Sequence, residues 1–211
     1  LQIVMGRGAF IVLEGLDRSG KSTQASLLVE YLKKKGKSVE SVRFPDRDEP
    51  FGRVISAYLK KEVDIVSPQA LHLAFSLNRW QKADFIRQSI EKGSYVVCDR
   101  YCYSGIAYSI ANGLEENWVK QADCGLPRPD IVLFFDVDEK VAERRGGYGD
   151  ERLESKEIQA KVKVQMRALA DETWTLIDAN SDTDTVSSIV FAVIDNVCPT
   201  GSLSTISFPS V

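Results

Sequence analysis

Histidine and closely spaced cysteines are scarce in this chain, and their scarcity argues against most metal centres. The 211 residues include one histidine, His72, and four cysteines, none of which forms a C-x-x-C pair with another. Because zinc sites draw their ligands from closely spaced cysteines and histidines, we expect no zinc cluster. Cysteines without a disulfide framework are typical of reduced thiols. We therefore expect an intracellular, cytoplasmic protein, with nuclear or mitochondrial pools left open.

Long apolar runs and an excess of positive charge are also missing. No apolar run reaches the roughly 18 residues of a membrane-spanning helix, so we expect no membrane partner. The net charge of −3 gives no support for binding to nucleic acid or to an anionic membrane surface. Residues 1–4 precede Met5, which we expect to be the natural start, and no signal-peptide pattern precedes the first predicted strand.

The most informative stretch that is present is residues 15–22, Gly-Leu-Asp-Arg-Ser-Gly-Lys-Ser. It fits the pattern G-x-x-x-x-G-K-[ST] of a phosphate-binding loop, between a β-prone run at residues 10–14 and a helical pattern. Glycines at both ends let backbone N–H groups point at phosphate oxygens, and the helix N-terminus favours negative charge. Lys21 can reach terminal phosphates, and the Ser22 hydroxyl suits Mg²⁺. A glycine-rich turn that binds nothing is the alternative.

Strand-like and helix-like segments alternate along the whole chain. Helical patterns separate the apolar runs, among them a long helix that begins at Ser67-Pro68 and ends near Gly93. This alternation predicts an α/β fold with a five-stranded parallel sheet flanked by helices. The predicted strands are residues 10–14, 38–44, 95–98, 131–135 and 174–177.

Polar groups lie at the ends of the first three predicted strands. The phosphate-binding loop follows the first strand, residues 43–47 (Arg-Phe-Pro-Asp-Arg) lie at the end of the second, and residues 99–101 (Asp-Arg-Tyr) follow the third. Because ligands of parallel sheets bind beyond the carboxyl ends of the strands, we expect these groups to meet. Asp136 and Asp138 follow the fourth strand, where we expect them to begin a helix.

Three of these groups suit phosphate chemistry. Asp99 has the position of a Walker-B carboxylate, which holds Mg²⁺, usually through water. Arg47 and Arg100 are candidates to clamp an acceptor phosphate, because a guanidinium pairs phosphate oxygens bidentately. Surface ion pairing is the alternative for both arginines. Transfer between two phosphates needs alignment and neutralised charge more than covalent chemistry.

Several blocks of the chain together resemble the thymidylate kinase family, most closely its eukaryotic branch, which carries an acidic-Arg pair inside the phosphate-binding loop. The blocks stand in the family's order and spacing from about residue 8 to residue 197. Each block alone says little beyond nucleotide binding, whereas the combination is specific. The blocks are residues 15–24 (GLDRSGKSTQ), 43–47 (RFPDR), 75–80 (FSLNRW), 99–105 (DRYCYSG), 125–130 (GLPRPD) and 151–152 (ER).

The resemblance implies a P-loop NTPase fold that uses ATP and Mg²⁺ to phosphorylate dTMP to dTDP. Arg18 would be the catalytic arginine, directed at charge that develops on the transferred phosphoryl group. Lys21, Asp17 and Asp99 would complete the catalytic set, and Ser22 and Asp99 would hold the metal. The expected ATP-binding residues are Gly15, Arg18, Ser19, Gly20, Lys21, Ser22, Thr23 and Arg145.

On the acceptor side, the resemblance implies that Asp17 fixes the 3′-hydroxyl of the sugar. Phe75 would stack on the thymine ring, and Arg79, one helical turn further on, would donate to a base carbonyl. Tyr108 could crowd a ribose 2′-hydroxyl and so favour the deoxy sugar. The expected dTMP-binding residues are Asp17, Phe44, Arg47, Phe75, Arg79, Arg100, Ser104, Gly105 and Tyr108.

The family pattern also organises the rest of the chain. We expect one kinase domain over residues 6–198, with a lid at about residues 144–154 in which Arg145 lies against adenine. A mobile surface loop is the alternative for the lid. The family usually has Tyr where Leu153 stands, so acceptor affinity or base selectivity could differ. We expect a loosely ordered tail over residues 199–211, and a homodimer as the family forms, in which the long helix could pair with its copy.

Two other functions remain open from the residues. A deoxynucleoside kinase of similar fold would need a carboxylate base for a sugar hydroxyl, and the arginine pair favours a phosphorylated acceptor instead. A non-catalytic nucleotide switch would usually carry an N-K-x-D motif, which this chain lacks. We expect His72 to be a packed helix residue, because an acceptor phosphate is already nucleophilic and needs no imidazole base.

Overall fold

A computed structural model describes residues 6–145 and 151–208 of the chain. Its described residues form a five-stranded parallel sheet with strand order β2-β3-β1-β4-β5. The expected parallel sheet is confirmed, and each strand lies within a residue or two of its predicted position. The strands are β1 (Phe10–Gly15), β2 (Val39–Arg43), β3 (Tyr95–Asp99), β4 (Ile131–Asp136) and β5 (Trp174–Asp178).

Helices cover both faces of this sheet. The long predicted helix is present as α3, and Ser67 caps it by accepting a hydrogen bond from the Ala70 N–H at 3.2 Å, with Pro68 at its first position. Asp138 directly precedes α6, as expected. The helices are α1 (Lys21–Lys34), α2 (Pro50–Leu59), α3 (Pro68–Glu91), α4 (Cys102–Ala111), α5 (Glu116–Gln121), α6 (Glu139–Arg144), α7 (Lys156–Ala168) and α8 (Thr183–Asp195).

Strand β1 lies at the centre of the sheet and is buried along its whole length. Successive side chains of a strand point to opposite faces. Ile11 and Leu13 accordingly join the core under α1 and α8, whereas Phe10 and Val12 join the core on the other face. Both faces of the strand are therefore apolar, which explains why its sequence reads as a continuous apolar run.

The register of the sheet brings the predicted polar groups to one edge. Leu13 of β1 and Arg43 of β2 both lie beside Asp99 of β3, and Gly15 lies beside Phe135 of β4. The loop after β1 and the carboxyl ends of β2 and β3 therefore open on the same side of the sheet. This shared edge positions the candidate site.

The tail differs from the expectation over residues 199–208, which pack against the body of the protein. The Gly125 N–H donates to the Ile206 carbonyl oxygen at 2.9 Å, and the Ile206 N–H donates to the Leu126 carbonyl oxygen at 2.8 Å. The Ile206 side chain is buried in the core. A few apolar residues are enough to anchor a Ser-rich segment, because removing each apolar side chain from water is favourable.

Within the described residues, no helix combines the length and apolar character that crossing a membrane requires.

Candidate active site

The loop between β1 and α1 requires glycine at both ends. Gly15 has φ 146°, and a Cβ there would lie 2.6 Å from the Phe135 carbonyl oxygen of β4. Gly20 has φ 89° and directly precedes α1. Both conformations strongly favour glycine, so the loop can turn sharply and direct α1 at the site. The predicted strand, loop and helix are all present.

Lys21 is buried at the base of this loop. Its Nζ donates to the Leu16 carbonyl oxygen at 2.5 Å and to the Ser19 Oγ at 3.2 Å. Burial, reinforced by the positive charge of Arg100, lowers the pKa of Lys21 to about 7. A bound anion beside Lys21 would raise this pKa again and so favour the protonated lysine.

Ser22 and Asp99 meet, as a shared metal site requires. The Ser22 Oγ donates to Asp99 Oδ2 at 2.5 Å, and Arg43 Nη2 contacts both, at 2.7 Å from Ser22 Oγ and 3.0 Å from Asp99 Oδ2. The other carboxylate oxygen, Asp99 Oδ1, is buried and has no hydrogen-bond partner among the described residues. A carboxylate and a hydroxyl with spare lone pairs are the oxygen donors that Mg²⁺ prefers.

Arg100 follows β3 with φ 66° and turns back toward the phosphate-binding loop. It forms an ion pair with Asp17, and its Nη1 donates to the Gly15 carbonyl oxygen and to Ser104 Oγ, each at 3.2 Å. Burial opposes its charge, but Asp17 and other nearby acidic groups outweigh this effect and raise the pKa of Arg100. The guanidinium is therefore fixed beside the loop that would hold the donor.

A buried carboxylate, Glu14, supports this turn from inside β1. Glu14 Oε1 accepts from the N–H groups of Tyr101 at 2.9 Å and Ser104 at 3.0 Å, and Oε2 accepts from Ser104 Oγ at 2.6 Å. Burial raises the pKa of Glu14. No motif of the sequence assigns a role to Glu14, although a charged residue in an otherwise apolar strand is a visible signal.

Arg47 lines the same cleft as Arg100. Its Nη1 and Nη2 form a bidentate ion pair with Glu151, at 2.7 Å to Oε1 and 3.0 Å to Oε2. Arg47 and Arg100 both line the cleft. The arrangement that the strand ends predicted, two cations directed into one cleft beside the phosphate-binding loop, is present.

All the residues that the resemblance assigns to the acceptor line this one cleft, which has a volume of about 380 Å³. The structure brings them together, whereas their individual roles stay predictions. A cleft of this size suits a small molecule. These lining residues are Asp17, Phe44, Arg47, Phe75, Arg79, Arg100, Ser104, Gly105 and Tyr108.

Arg79 has a structural partner that the sequence did not indicate. It is 2% exposed, its Nε donates to Asp123 Oδ1 at 3.1 Å, and its Nη2 donates to Asp123 Oδ2 at 2.7 Å. A Cβ at Gly105 would lie 2.7 Å from Arg79 Nη1. Arg79 Nη2 would lie 2.9 Å from the same Cβ, so glycine at this position leaves room for the guanidinium.

Asp17 lies at the centre of a hydrogen-bond network. Tyr108 Oη donates to Asp17 Oδ2 at 2.9 Å, and Gln159 Nε2 donates to the same oxygen at 2.7 Å. Burial would raise the pKa of Asp17, but the charges of Arg100 and Lys21 and these two hydrogen bonds outweigh it and lower the pKa. Gln159 lies in a helical segment with no motif, so no sequence signal pointed to it.

Arg145, at the start of the predicted lid, contacts the phosphate-binding loop. Arg145 Nη1 donates to the Arg18 carbonyl oxygen at 3.0 Å, and Nη2 donates to the Ala179 carbonyl oxygen at 2.6 Å. Arg145 therefore lies beside the loop, whereas its place against adenine stays a prediction. Residues 146–150, the centre of the predicted lid, lie outside the described residues.

His72 is a packed residue, as expected. Its Nδ1 lies 2.8 Å from Ser109 Oγ, and its Nε2 lies 3.0 Å from the Val119 carbonyl oxygen. Burial lowers the pKa of His72, so the ring is held neutral.

Comparisons with known proteins agree with this geometry. The family model described as thymidylate kinase matches residues 13–190 of the chain. Thymidylate kinase of Caenorhabditis elegans is 51% identical over 203 residues, which cover 90% of this chain and 92% of that protein. Thymidylate kinase of Homo sapiens is 41% identical over 187 residues, which cover 85% of this chain and 86% of that protein.

A solved structure of thymidylate kinase from Candida albicans is similar along almost the whole chain. The TM-score is 0.87 at 36% sequence identity, and the match covers 95% of this chain and 99% of that chain.

Proposed function

This chain belongs to the thymidylate kinase family and phosphorylates dTMP to dTDP, and we propose that its phosphate-binding loop and its arginine-lined cleft carry out that transfer from ATP. The chain is therefore a phosphotransferase. Neither alternative, a deoxynucleoside kinase or a nucleotide switch, is favoured by these relatives.

One observation carries the assignment of the cleft. Arg100 contacts both Gly15 and Asp17 of the phosphate-binding loop, and it lines the same cleft as Arg47. A phosphate gripped by this pair would lie directly beside a triphosphate held by the loop. The two phosphates would then be held next to each other and in line, and this alignment is the main requirement of phosphoryl transfer.

The position of each loop residue suggests its role in binding ATP. Backbone N–H groups between Gly15 and Thr23 would bind the donor phosphates, with Lys21 on their terminal oxygens. Arg18, which lies at the turn of the loop, would neutralise charge that develops on the transferred phosphoryl group. Comparable arginines contribute roughly 10³- to 10⁵-fold in rate. Arg145 would lie against the adenine ring.

Ser22 and Asp99 would hold Mg²⁺. The orphaned Asp99 Oδ1 and the position of Arg43, a cation that already contacts both side chains, support this assignment. The metal would neutralise charge on the donor phosphates.

The acceptor would enter the cleft with its phosphate toward Arg47 and Arg100. Asp17, held in place from both oxygens, would accept the 3′-hydroxyl of the sugar. Phe75 would stack on the thymine ring, and Tyr108 would occupy the space beside the sugar. Because thymine and uracil differ by one methyl group, we expect some activity on dUMP.

We also propose that the chain acts as a homodimer. Helices α2 and α3 expose large apolar side chains, among them Leu73 at 48%, Leu77 at 40% and Phe51 at 44% exposure. A group of such residues on neighbouring helices is typical of an interface. Ile86 and Ile90 of α3, in contrast, belong to the core.

The domain limits and location remain proposals. We propose one kinase domain over residues 6–198 with a lid at about residues 144–154. The four cysteines are free thiols, which is the form that reducing compartments maintain, so we propose a location inside the cell.

A coupled assay for ADP formation tests the function. With ATP and Mg²⁺, we expect rapid turnover on dTMP, weaker turnover on dUMP, and none on thymidine or after chelation with EDTA. Arg18→Ala should lower kcat by roughly 10³-fold or more while dTMP still binds, because its charge acts mainly in the transition state.

Arg167→Ala is the matched control, since Arg167 lies at the end of α7 and pairs with Asp136 outside the cleft. This variant should retain full activity. ADP formation that does not depend on the acceptor, or equal turnover on thymidine and dTMP, would contradict the proposed function.

A further inference from the structure

Gln159 makes four hydrogen bonds that no sequence motif predicted. The residue lies near the start of α7 and is 6% exposed. Its Oε1 accepts from the Asp17 N–H at 3.2 Å. Its Nε2 donates to Asp17 Oδ2 at 2.7 Å, to Tyr108 Oη at 2.7 Å, and to the Leu153 carbonyl oxygen at 2.9 Å.

These contacts connect three separate parts of the molecule. Asp17 belongs to the phosphate-binding loop, Tyr108 to α4, and Leu153 to the short segment of residues 151–155 that directly precedes α7. A side-chain amide nitrogen carries two protons, but three acceptors surround Gln159 Nε2. The three acceptors must therefore share two protons. A shift of the Leu153 backbone would then strengthen or weaken the hydrogen bond that Gln159 donates to Asp17.

The orientation of the Asp17 carboxylate depends on this sharing. Arg100 holds Oδ1 by an ion pair, while Tyr108 and Gln159 hold Oδ2. With both oxygens engaged, the plane of the carboxylate is fixed. Without Gln159, Oδ2 keeps only the Tyr108 hydroxyl, and the carboxylate can rotate toward Arg100.

We propose that Gln159 is a positioning residue that orients Asp17 toward the acceptor sugar and links that orientation to the segment directly before α7. This inference rests on the proposed function, in which Asp17 accepts the 3′-hydroxyl of dTMP. Gln159 acts through Asp17 and does not itself need to touch the substrate. A merely structural glutamine that anchors α7 would affect every acceptor alike.

The test compares dTMP with its 3′-deoxy analogue. Gln159→Leu removes the amide at similar size, and we expect kcat/KM for dTMP to fall roughly 10- to 100-fold, as for a lost hydrogen bond to a charged group. The loss should lie mainly in KM. For 3′-deoxy-dTMP, which lacks the hydroxyl that Asp17 would accept, we expect a fall of no more than about 3-fold.

Two further variants keep the result interpretable. Gln165→Leu makes the same change later on α7, at a residue outside the described cleft lining, and should leave both substrates unaffected. Gln159→Glu preserves size and tests the same idea if the leucine variant is unstable. A second carboxylate beside Asp17 cannot donate to it, so the preference for the 3′-hydroxyl should again shrink.

Each outcome has a distinct meaning. An equal fall on both substrates would overturn the inference in favour of a structural role, and unchanged kinetics on both would overturn it outright. If the unaltered protein failed to turn over dTMP, the proposed function itself would fail. A selective loss on dTMP, with unchanged thermal unfolding, would support the positioning role.

Discussion

Three cations of the candidate site are paired with carboxylates before any substrate arrives. Arg100 is paired with Asp17, Arg47 with Glu151, and Arg43 with Asp99. Lys21 differs from these residues, because its Nζ donates to the Leu16 carbonyl oxygen and the Ser19 hydroxyl, and its pKa is lowered to about 7. A buried lysine of this sort gains most from an incoming anion.

Binding of ATP near pH 8 should therefore take up a proton. With a pKa of about 7, Lys21 is mostly neutral at pH 8 in the free protein, and the triphosphate should raise that pKa and protonate it. We expect uptake to approach about one proton per nucleotide at pH 8 and to vanish near pH 6, with affinity falling as pH rises above 7.

Isothermal titration calorimetry in buffers of different ionisation enthalpy measures this uptake. Lys21→Arg is the control, since a guanidinium stays protonated at both pH values and should show none. Equal uptake at pH 6 and pH 8 would show that some other group takes the proton.

At the scale of secondary-structure elements, Glu14 joins the central strand to α4, which contributes Ser104, Gly105 and Tyr108 to the cleft. Its carboxylate accepts from Tyr101 and Ser104 at the start of α4, directly after the left-handed Arg100. The turn that aims Arg100 is thus fastened to β1. Gly15 at the end of the same strand begins the phosphate-binding loop, so one strand positions both the loop and the turn that carries Arg100.

Glu14→Ala should lower the free energy of unfolding by about 2–4 kcal/mol, because each buried donor left without a partner costs about 1–3 kcal/mol. Affinity for dTMP should fall as well, since Arg100 loses its support. Glu14→Gln keeps one acceptor oxygen for the two backbone N–H groups, so it should lower the free energy of unfolding clearly less than Glu14→Ala does. Urea unfolding of the three proteins checks the order, and an alanine variant as stable as the unaltered protein would refute the role.

At the scale of the whole molecule, helices α2 and α3 expose apolar side chains that a second copy of the chain could cover. Leu73 and Leu77 lie one helical turn apart on α3 and are close to half exposed, and Phe51 is exposed on α2. Apolar side chains at this spacing form one stripe. Other residues of these helices, among them Tyr58 and Phe75, line the cleft, but Phe51, Leu73 and Leu77 are not part of its lining.

Leu77→Asp should separate a dimer into monomers, because a charge buried in an apolar interface is costly. Sedimentation equilibrium is expected to give a dimer for the unaltered protein and a monomer for this variant. Val164→Asp, at a residue of α7 that is 64% exposed, should remain dimeric. A monomeric unaltered protein would reject the homodimer.

Much of the site could be predicted because its signals are local. The phosphate-binding loop, the strand that precedes it, and the polar groups at the ends of the next strands lie in short continuous segments. Apolar periodicity reports which residues of a segment are buried, and glycine reports where the backbone must turn. The same patterns led to the five strands and to the long helix that begins at Pro68.

Only the tertiary structure decided which distant groups meet. Gln159 reaches Asp17 across 142 positions in the chain, Arg79 pairs with Asp123 across 44, and the tail packs Ile206 into a core that its composition did not suggest. The order of the strands, β2-β3-β1-β4-β5, belongs with these findings. Periodicity records that a residue is buried but not which neighbour buries it, and that choice depends on how all the elements pack together.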